Sequence, residues 1–266
     1  MSKSIVFFDI DGTIISEKTG LIPQSTKDAI KKLKENGHLA FINTGRPVSE
    51  ITDTLRDLDF DGYVCGCGTY VEYKNEVLLY KSLGNKLSME IVKYLKEYKL
   101  EGILEGRYGL YYDDINNIVH KDVLKIIDQH KHEGFFDKFH KNWTDENIDY
   151  DKFVIFLNED SDFNSFFEKF KDTFDFIKRG EDFYELVPIG YSKASGIDFI
   201  CDYLNISKEN TYALGDSTND LSMLEHVPNS IAMGNSTPVL FDKVSFITKD
   251  LEDDGIEYAL KHYSLI

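Results

Sequence analysis

Short apolar runs alternate with amphipathic segments near the amino terminus. The run SIVFFDI, residues 4–10, is the continuous apolar pattern expected of a strand that is covered on both faces. Residues 24–35 carry apolar positions at helical spacing, and Gly37 marks the end of that predicted helix. HLAFIN then predicts a second buried strand, and Pro47 precedes a second helix predicted over about residues 48–58.

The same rhythm returns after Pro188. The predicted order is a helix over about 193–204, a strand in TYALGD, a short helix over 219–225, strands in SIAMG and VSFIT, and a closing helix over 253–262. Because strands alternate with helices at both ends of the chain, the pattern predicts one parallel sheet built from both ends.

The middle of the chain has a different pattern. TYVEY and EVLLY flank Lys74-Asn75, which predicts a hairpin. Beyond it the pattern predicts strands and helices without strict alternation, as in an α+β domain. The fold class is therefore predicted as α/β, with a Rossmann-like parallel-sheet core domain (residues 1–82 and 188–266) and an inserted α+β cap domain (residues 83–187).

Composition and charge limit the kinds of partner that the chain is expected to bind. The 266 residues include 47 acidic and 30 basic side chains, so the formal net charge is -17 and the overall field repels nucleic acid and anionic membranes. No stretch approaches the ~20 apolar residues of a membrane span, and Ile5–Phe8 is too short for the apolar part of a signal peptide. We therefore expect no nucleic-acid or membrane partner and a cytoplasmic location.

The three cysteines lack the spacing of a zinc site or a disulfide framework. Cys65-Gly66-Cys67-Gly68 is interpreted as small residues in a tight turn, with a reactive thiol as the alternative.

Polar residues cluster where the predicted core strands end. They are Asp9 and Asp11 after the first strand, Thr44, Gly45 and Arg46 after the second, and Asp216 and Asp220 after TYALGD. If those strands are neighbours, the groups converge at one edge of the sheet, where ligands bind in such folds. Several carboxylates in one small site repel one another unless a cation intervenes, and all-oxygen ligation favours Mg²⁺.

A hydroxyl and a lysine narrow the chemistry further. The Thr44 hydroxyl, neighbouring backbone N–H groups and the Lys193 ammonium suit the oxygens of a phosphoryl group in transfer. One aspartate can attack phosphorus to form an aspartyl-phosphate, and a second, two residues on, can move the protons.

In order along the chain, DIDGT, NTGRP, a lysine before a helix and GDSTNDLSMLE resemble the four motifs of the haloacid dehalogenase-like phosphatases, in particular the Cof-type group. The resemblance implies that Asp9 is the nucleophile and Asp11 the general acid/base. It implies phosphate binding by Thr44, Gly45, Lys193 and Asn219, and Mg²⁺ binding by Asp9, Asp216 and the backbone carbonyl of Asp11. Asp220 is expected to orient Lys193 or a metal-bound water, with Arg46 nearby, and Gly12 to permit a sharp turn.

Two departures from the family pattern stand outside these motifs. Cys67-Gly68-Thr69 replaces a common Asn-Gly-Ala, and Lys193-Ala194 replaces a common Lys-Gly. The first removes any contact made by that Asn, whereas the second is mild because a helix start tolerates Ala.

The expected function is a Mg²⁺-dependent phosphatase, a phosphoric monoester hydrolase acting on a small phosphorylated metabolite such as a sugar phosphate. Two alternatives stay open. A phosphosugar mutase would need a second phosphate site, for which the cap offers basic residues such as Lys86, Arg107 and Lys178. A non-catalytic phosphometabolite-binding regulator would need no acid/base at Asp11. Arg46 fits either a structural ion pair or a phosphate contact, and Asp216 and Asp220 also fit capping of the helix that follows them.

Overall fold

The computed structural model describes residues 3–132, 140–144 and 148–266. These residues form two compact units. The first consists of the chain up to Gly45 together with Thr52–Leu79 and Ser192–Ile266, and the second of Arg46–Ile51 together with Tyr80–Tyr191. The short loop Arg46–Ile51 thus groups with the second unit although it follows a strand of the first. The domain limits at residues 83 and 187 stay a prediction.

The strands in chain order are β1 (Ile5–Phe8), β2 (Leu39–Asn43), β3 (Gly62–Cys65), β4 (Tyr70–Tyr73), β5 (Glu76–Tyr80), β6 (Glu101–Gly106), β7 (Gly109–Tyr112), β8 (His140–Asn142), β9 (Lys152–Phe156), β10 (Phe174–Lys178), β11 (Phe183–Pro188), β12 (Thr211–Gly215), β13 (Asn229–Ala232) and β14 (Phe246–Ile247). The α-helices are α1 (Gln24–Glu35), α2 (Asp53–Arg56), α3 (Gly84–Glu97), α4 (Lys121–His132), α5 (Phe163–Phe170), α6 (Lys193–Leu204), α7 (Leu221–Leu224) and α8 (Gly255–His262).

The larger sheet has the order β14-β13-β12-β1-β2-β3-β4-β5. Every pairing from β14 to β3 is parallel, and the β3–β4 pairing is antiparallel. Strand β1 lies in the middle, and all four of its residues are fully buried. The continuous apolar run therefore forms the central strand of a parallel sheet, as the pattern predicts.

The hairpin of β4 and β5 turns at Lys74 and Asn75, which both have positive φ angles of 49° and 65°. Positive φ at both central residues is typical of the tight hairpin turns that match the twist of strands. The predicted hairpin is confirmed.

The sheet of the second unit has the order β10-β11-β9-β6-β7-β8. Its pairings are antiparallel apart from that of β7 with β8. One apolar cluster, which includes Tyr111, Trp143, Phe153 and Phe166, lies with α3 and α5, and another includes Val123 and Ile127 of α4. Mixed α+β structure in this part and a parallel sheet in the first unit confirm the predicted fold class.

One local prediction was wrong, and one strand was missed. The helix predicted over 48–58 is instead a 3-10 turn, Val48–Glu50, followed by the short α2, because Ile51 is extended and Thr52 caps a new helix by accepting a hydrogen bond from Leu55 N–H. Strand β8 was not predicted, because its sequence His-Lys-Asn carries no apolar alternation. The aromatic-rich segment 134–139 just before it lies outside the described residues.

Candidate active site

Three strand ends of the first unit meet at one edge of the sheet. Strand β1 pairs in parallel with β2 on one side and with β12 on the other, so their carboxyl ends point the same way. Asp9 continues β1 and donates its backbone N–H to the Leu214 carbonyl at 3.0 Å. Thr44 and Asp216 directly follow the neighbouring strands. The structure thus brings these sequence-predicted side chains to one edge, at the reversal of strand order where α/β folds bind ligands.

Lys193 links two of the aspartates. Its Nζ donates to Asp9 Oδ1 at 2.7 Å and to Asp220 Oδ1 at 2.6 Å. Its side chain is 1% exposed, and those of Asp9 and Asp220 are 5% and 0% exposed. Although burial lowers it, the charges of Asp220 and Asp9 hold the pKa of Lys193 above its ordinary value. Lys193 is therefore a fixed cation inside the carboxylate cluster.

The start of α6 explains how Lys193 reaches this position. Ser192 caps the helix, since its hydroxyl accepts from Ser195 N–H while the Ser195 hydroxyl accepts from Ser192 N–H. Asn43, the last residue of β2, donates from Nδ2 to the Lys193 carbonyl at 3.0 Å. Gly196 lets the helix lie close to β3, because a Cβ there would come within 2.3 Å of Val64 Cγ1.

Both carboxylate oxygens of Asp220 are engaged by the protein. Oδ1 bonds Lys193, and Oδ2 accepts from the backbone N–H groups of Asp216 at 3.0 Å and Ser217 at 3.1 Å. Ligand atoms of Asp9, Asp216 and Asp220 lie within 4.8 Å of one another. Because the Asp220 oxygens already have partners, the geometry favours an orienting role for Asp220 and leaves Asp9 and Asp216 as the better cation ligands.

The turn after β1 packs directly against Asp216. Gly12 has a φ of +72°, and a Cβ on it would lie 2.3 Å from Asp216 Oδ2. Only glycine fits this combination of positive φ and close approach. The Thr13 hydroxyl lies 3.5 Å from Asp216 Oδ1, at the limit of a hydrogen bond. The sharp turn predicted at Gly12 is therefore present, beside half-buried Asp11.

The cluster carries an excess of negative charge. Three carboxylates (Asp9, Asp216 and Asp220) accompany one ammonium, so the formal sum is two negative charges. Burial and the Asp220 charge raise the pKa of Asp9 to about 7. Burial and the charges of Asp220 and Asp9 raise the pKa of Asp216 to about 8. A divalent cation would cancel this excess, and an all-oxygen donor set fits Mg²⁺.

The remaining predicted residues divide between the units. Thr44 is 2% exposed and donates its N–H to the Val64 carbonyl at 2.9 Å. Gly45 follows it and is half-buried. Asn219 lies in the 3-10 turn Thr218–Asp220 and accepts from the Ser217 hydroxyl at 2.7 Å. Arg46 belongs to the second unit, so a contact with phosphate stays a prediction.

Sequence reasoning missed three supporting residues. Asn43 and Ser192 fix Lys193, and Thr13 lies beside Asp216. Ser192 carried a readable signal, because a serine directly before an apolar-periodic segment is a preferred N-cap residue. Asn43 carried none, since its partner is 150 residues away in the chain.

A family model described as haloacid dehalogenase-like hydrolase matches residues 6–260. The chain belongs to this family. The predicted family is confirmed, and the motif-bearing segments fall on the elements just described.

Two relatives and one solved structure are similar to this haloacid dehalogenase-like hydrolase over nearly its whole length. A putative phosphatase, YkrA of Bacillus subtilis (strain 168), is 30% identical over 100% of both chains. The 5-amino-6-(5-phospho-D-ribitylamino)uracil phosphatase YitU of the same organism is 26% identical over 97% of each chain. The solved structure of the HAD subclass IIB sugar phosphatase BT4131 superposes with a TM-score of 0.80 at 26% identity, over 99% of this chain and 100% of that chain. The protein is accordingly an enzyme, a phosphatase of the haloacid dehalogenase type.

Two further observations concern this phosphatase. Within the described residues no helix is both long enough and apolar enough to span a membrane. Cys65, Cys67 and Cys201 are buried thiols, and Cys67 adopts a left-handed conformation (φ 55°, ψ 42°) inside the tight turn Gly66–Gly68. The turn interpretation of this segment agrees with the structure.

Proposed function

We propose that the enzyme is a Mg²⁺-dependent phosphatase that hydrolyses a sugar phosphate through an aspartyl-phosphate on Asp9. The observation that carries the proposal is the buried cluster in which Lys193 joins Asp9 to Asp220 beside Asp216. It combines a candidate nucleophile, a fixed cation and a carboxylate excess at the ligand-binding edge of a parallel sheet.

Asp9, Asp216 and the backbone carbonyl of Asp11 would hold the Mg²⁺. The ion would supply charge neutralisation for the phosphoryl oxygens. The chain's own residues would hold the same group from other sides: the Thr44 hydroxyl, the Gly45 N–H, the Asn219 amide and the Lys193 ammonium.

In the first step a carboxylate oxygen of Asp9 bonds to phosphorus, and the bond from phosphorus to the ester oxygen breaks. Asp11 gives its proton to the departing alkoxide, so a neutral alcohol leaves. The short hydrogen bond from Lys193 to Asp9 Oδ1 fixes the carboxylate before substrate arrives. Such preorganisation lowers the cost of orienting the nucleophile.

In the second step Asp11, now ionised, takes a proton from water. The water oxygen bonds to phosphorus, the Asp9–phosphorus bond breaks, and inorganic phosphate leaves with Asp9 restored. Asp220 would serve both steps by holding Lys193 in place, since its Oδ2 is itself fixed by two backbone N–H groups.

The second unit contains a cavity that is lined by both polar and apolar side chains. It measures about 210 Å³ and is lined by Arg46, Glu50, Ile103, Glu105, Ile126, Gln129, His130, Val154 and Phe183. Carboxylate, amide and imidazole groups can bond hydroxyls, and the apolar side chains can pack against C–H faces. The lining is therefore chemically suited to a hydroxylated ligand such as a sugar.

The same cavity gives little support to the phosphosugar mutase. Its lining contributes two carboxylates and one guanidinium, a poor match to a second phosphate. Of the basic residues considered for that role, Arg107 lies over the rings of Tyr80 and Tyr108, and Lys178 lies 6.0 Å from the ring centroid of Tyr184. Hexose phosphates should therefore yield free phosphate and no isomeric phosphate ester.

Phosphate release from sugar phosphates, nucleotides and an aryl phosphate, with and without Mg²⁺, tests the proposal. We expect metal-dependent release that falls about 10⁴-fold or more in Asp9→Asn, because the amide is not a nucleophile. Asp28→Asn, on the exposed side of α1, is the matched control and should stay fully active. Undiminished release in Asp9→Asn would reject the mechanism. Tight phosphosugar binding without release would favour the binding regulator.

Cytoplasmic location stays a prediction, in keeping with three buried thiols.

A further inference from the structure

The turn Asp11-Gly12 is attached to the rest of the first unit by a side chain far away in sequence. Asn235 Nδ2 donates to the Gly12 carbonyl at 2.7 Å, and Asn235 Oδ1 accepts from the Leu251 N–H at 3.0 Å. One amide therefore joins two chain segments by bonding a carbonyl with one end and an N–H with the other.

The backbone around Asn235 is fixed to Asp216 as well. Two residues on, Thr237 donates its N–H to the Asp216 carbonyl at 3.0 Å. One residue before, Gly234 donates to the Lys249 carbonyl at 2.8 Å. The segment 234–237 thus connects the turn after β1 with the loop after β12. The two predicted carboxylate ligands of the metal, Asp9 and Asp216, belong to the two chain segments that it joins.

The turn after β1 and the loop after β12 lie in close contact. Gly12 already touches Asp216 so closely that a Cβ would lie 2.3 Å from its carboxylate. Asp9 and Asp216 are buried, and their ligand atoms lie within 4.8 Å of each other, a distance at which two negative charges repel. A hydrogen bond that holds the Gly12 carbonyl opposes separation of the two segments.

We propose that Asn235 is a positioning residue that sets the affinity of the site for divalent cations by holding the Asp11-Gly12 turn against the Asp216 loop. The inference rests on the proposed function, because it takes Asp9, Asp11 and Asp216 as the cation ligands. The side-chain hydrogen bonds of Asn235 go to the backbone of Gly12 and Leu251, so Asn235 acts through the backbone that carries the predicted ligands.

Asn235→Ala is a clean test because the residue is exposed, and truncating it opens no hole in the core. Asn229→Ala is the matched control. The Asn229 side chain also bonds backbone carbonyls, those of Glu209 at 3.0 Å and Thr211 at 2.9 Å, but it lies at the amino end of β13, away from the strand ends that carry the site.

The experiment is calorimetric titration of each metal-free protein with Mg²⁺, with Mn²⁺ paramagnetic resonance as an independent readout. Asn235→Ala should bind about tenfold more weakly than wild type, as expected when groups that orient metal ligands are lost. Asn229→Ala should bind like wild type. Asn235→Gln, which keeps the amide but moves it by one methylene, should be intermediate. At saturating Mg²⁺ the KM for substrate should be unchanged in all three.

Each other outcome has a distinct meaning. Wild-type Mg²⁺ affinity in Asn235→Ala would overturn the inference, as would equal weakening in Asn229→Ala, which would indicate general loosening. Absence of Mg²⁺ binding by the wild-type protein would instead overturn the proposed function itself. Thermal melts of the variants report whether each one is folded.

Discussion

Each unit buries a group of charged side chains, and the two groups differ in their balance. In the first unit Lys193 faces the three carboxylates of Asp9, Asp216 and Asp220. In the second, a chain runs from Arg179 through Glu185 and Lys152 to Glu105, with two cations and two carboxylates.

In the balanced chain, Glu185 has a cation at each of its two carboxylate oxygens. Lys152 Nζ lies 2.8 Å from Glu185 Oε1, and Arg179 Nε donates to Glu185 Oε2 at 2.8 Å. Although burial acts to raise it, the charges of Lys152 and Arg179 lower the pKa of Glu185 to about 2. The first group leaves two negative charges uncompensated, and the pKa values of Asp9 and Asp216 are raised. Buried charge alone therefore does not mark a reactive site, whereas an imbalance that the fold retains does.

Removing the cation of the unbalanced group should have the largest effect. Lys193→Met takes the formal excess from two to three negative charges and frees the Asp9 carboxylate to rotate. We expect kcat at saturating Mg²⁺ to fall about 10³-fold, the scale of losing one preorganised donor. Lys208→Met, which removes an exposed lysine 3.8 Å from Asp198, is the control and should be fully active. A loss below tenfold in Lys193→Met would contradict the assigned role.

Removing a cation of the balanced group should act on stability instead. Lys152→Met leaves Glu105 without the ammonium that it contacts and Glu185 with Arg179 alone, and we expect it to lower the unfolding free energy by about 3–5 kcal/mol. Lys169→Met, which breaks the exposed pair with Glu90, should cost less than about 1 kcal/mol. Urea denaturation measures both, and Mg²⁺ affinity should not change. Weakened Mg²⁺ binding in Lys152→Met would show that the two groups are not independent.

Added Mg²⁺ should stabilise the folded protein by binding to the unbalanced group. At about 100 times Kd, a ligand that binds only the folded state adds about 2.7 kcal/mol to the unfolding free energy. Asp216→Asn should lose most of this gain, and without metal it should be the more stable protein because the negative excess falls to one. Thermal melts with EDTA or Mg²⁺ measure the effect. An equal response to Mg²⁺ in wild type and variant would remove Asp216 from the ligand set.

The contribution of Glu105, the last residue of the balanced chain, to the free energy of unfolding should depend on pH. Burial raises the pKa of Glu105 from 4.5 to about 7, the Lys152 charge lowering it in part. Between these values the folded state binds more protons than the unfolded state, so this group makes stability fall as pH rises from about 4.5 to 7. Glu105→Gln should lessen that decline by up to about 1.4 kcal/mol per pH unit. Parallel stability curves for the two proteins would contradict the shift.

The sequence predicted the unbalanced group far better than the balanced one. Asp9 and Asp216 follow readable apolar strands, and parallel pairing carries their side chains to one edge regardless of detailed register. Helix α6 was predicted from Lys193 to Leu204, as observed, because its start and apolar spacing are local signals. Local pattern thus suffices for groups placed at strand ends.

The balanced group depends on long-range register. Glu105, Lys152 and Glu185 come from β6, β9 and β11, and Glu105 pairs directly with Lys152 only because β6 and β9 align in one particular way. A shift of one residue would place these side chains on opposite faces. The same limit applies to Asn235, whose partner Gly12 is 223 positions away.

The central place of β1 has a consequence for biosynthesis. One of the two edges of Ile5–Phe8 pairs with Thr211–Leu214, which is translated some 200 residues later. Until then this apolar strand has an unpaired edge that can pair with other chains. The cluster around Lys193 cannot form until Asp216 and Asp220 have been translated, so we expect the demand for chaperones to peak before that point.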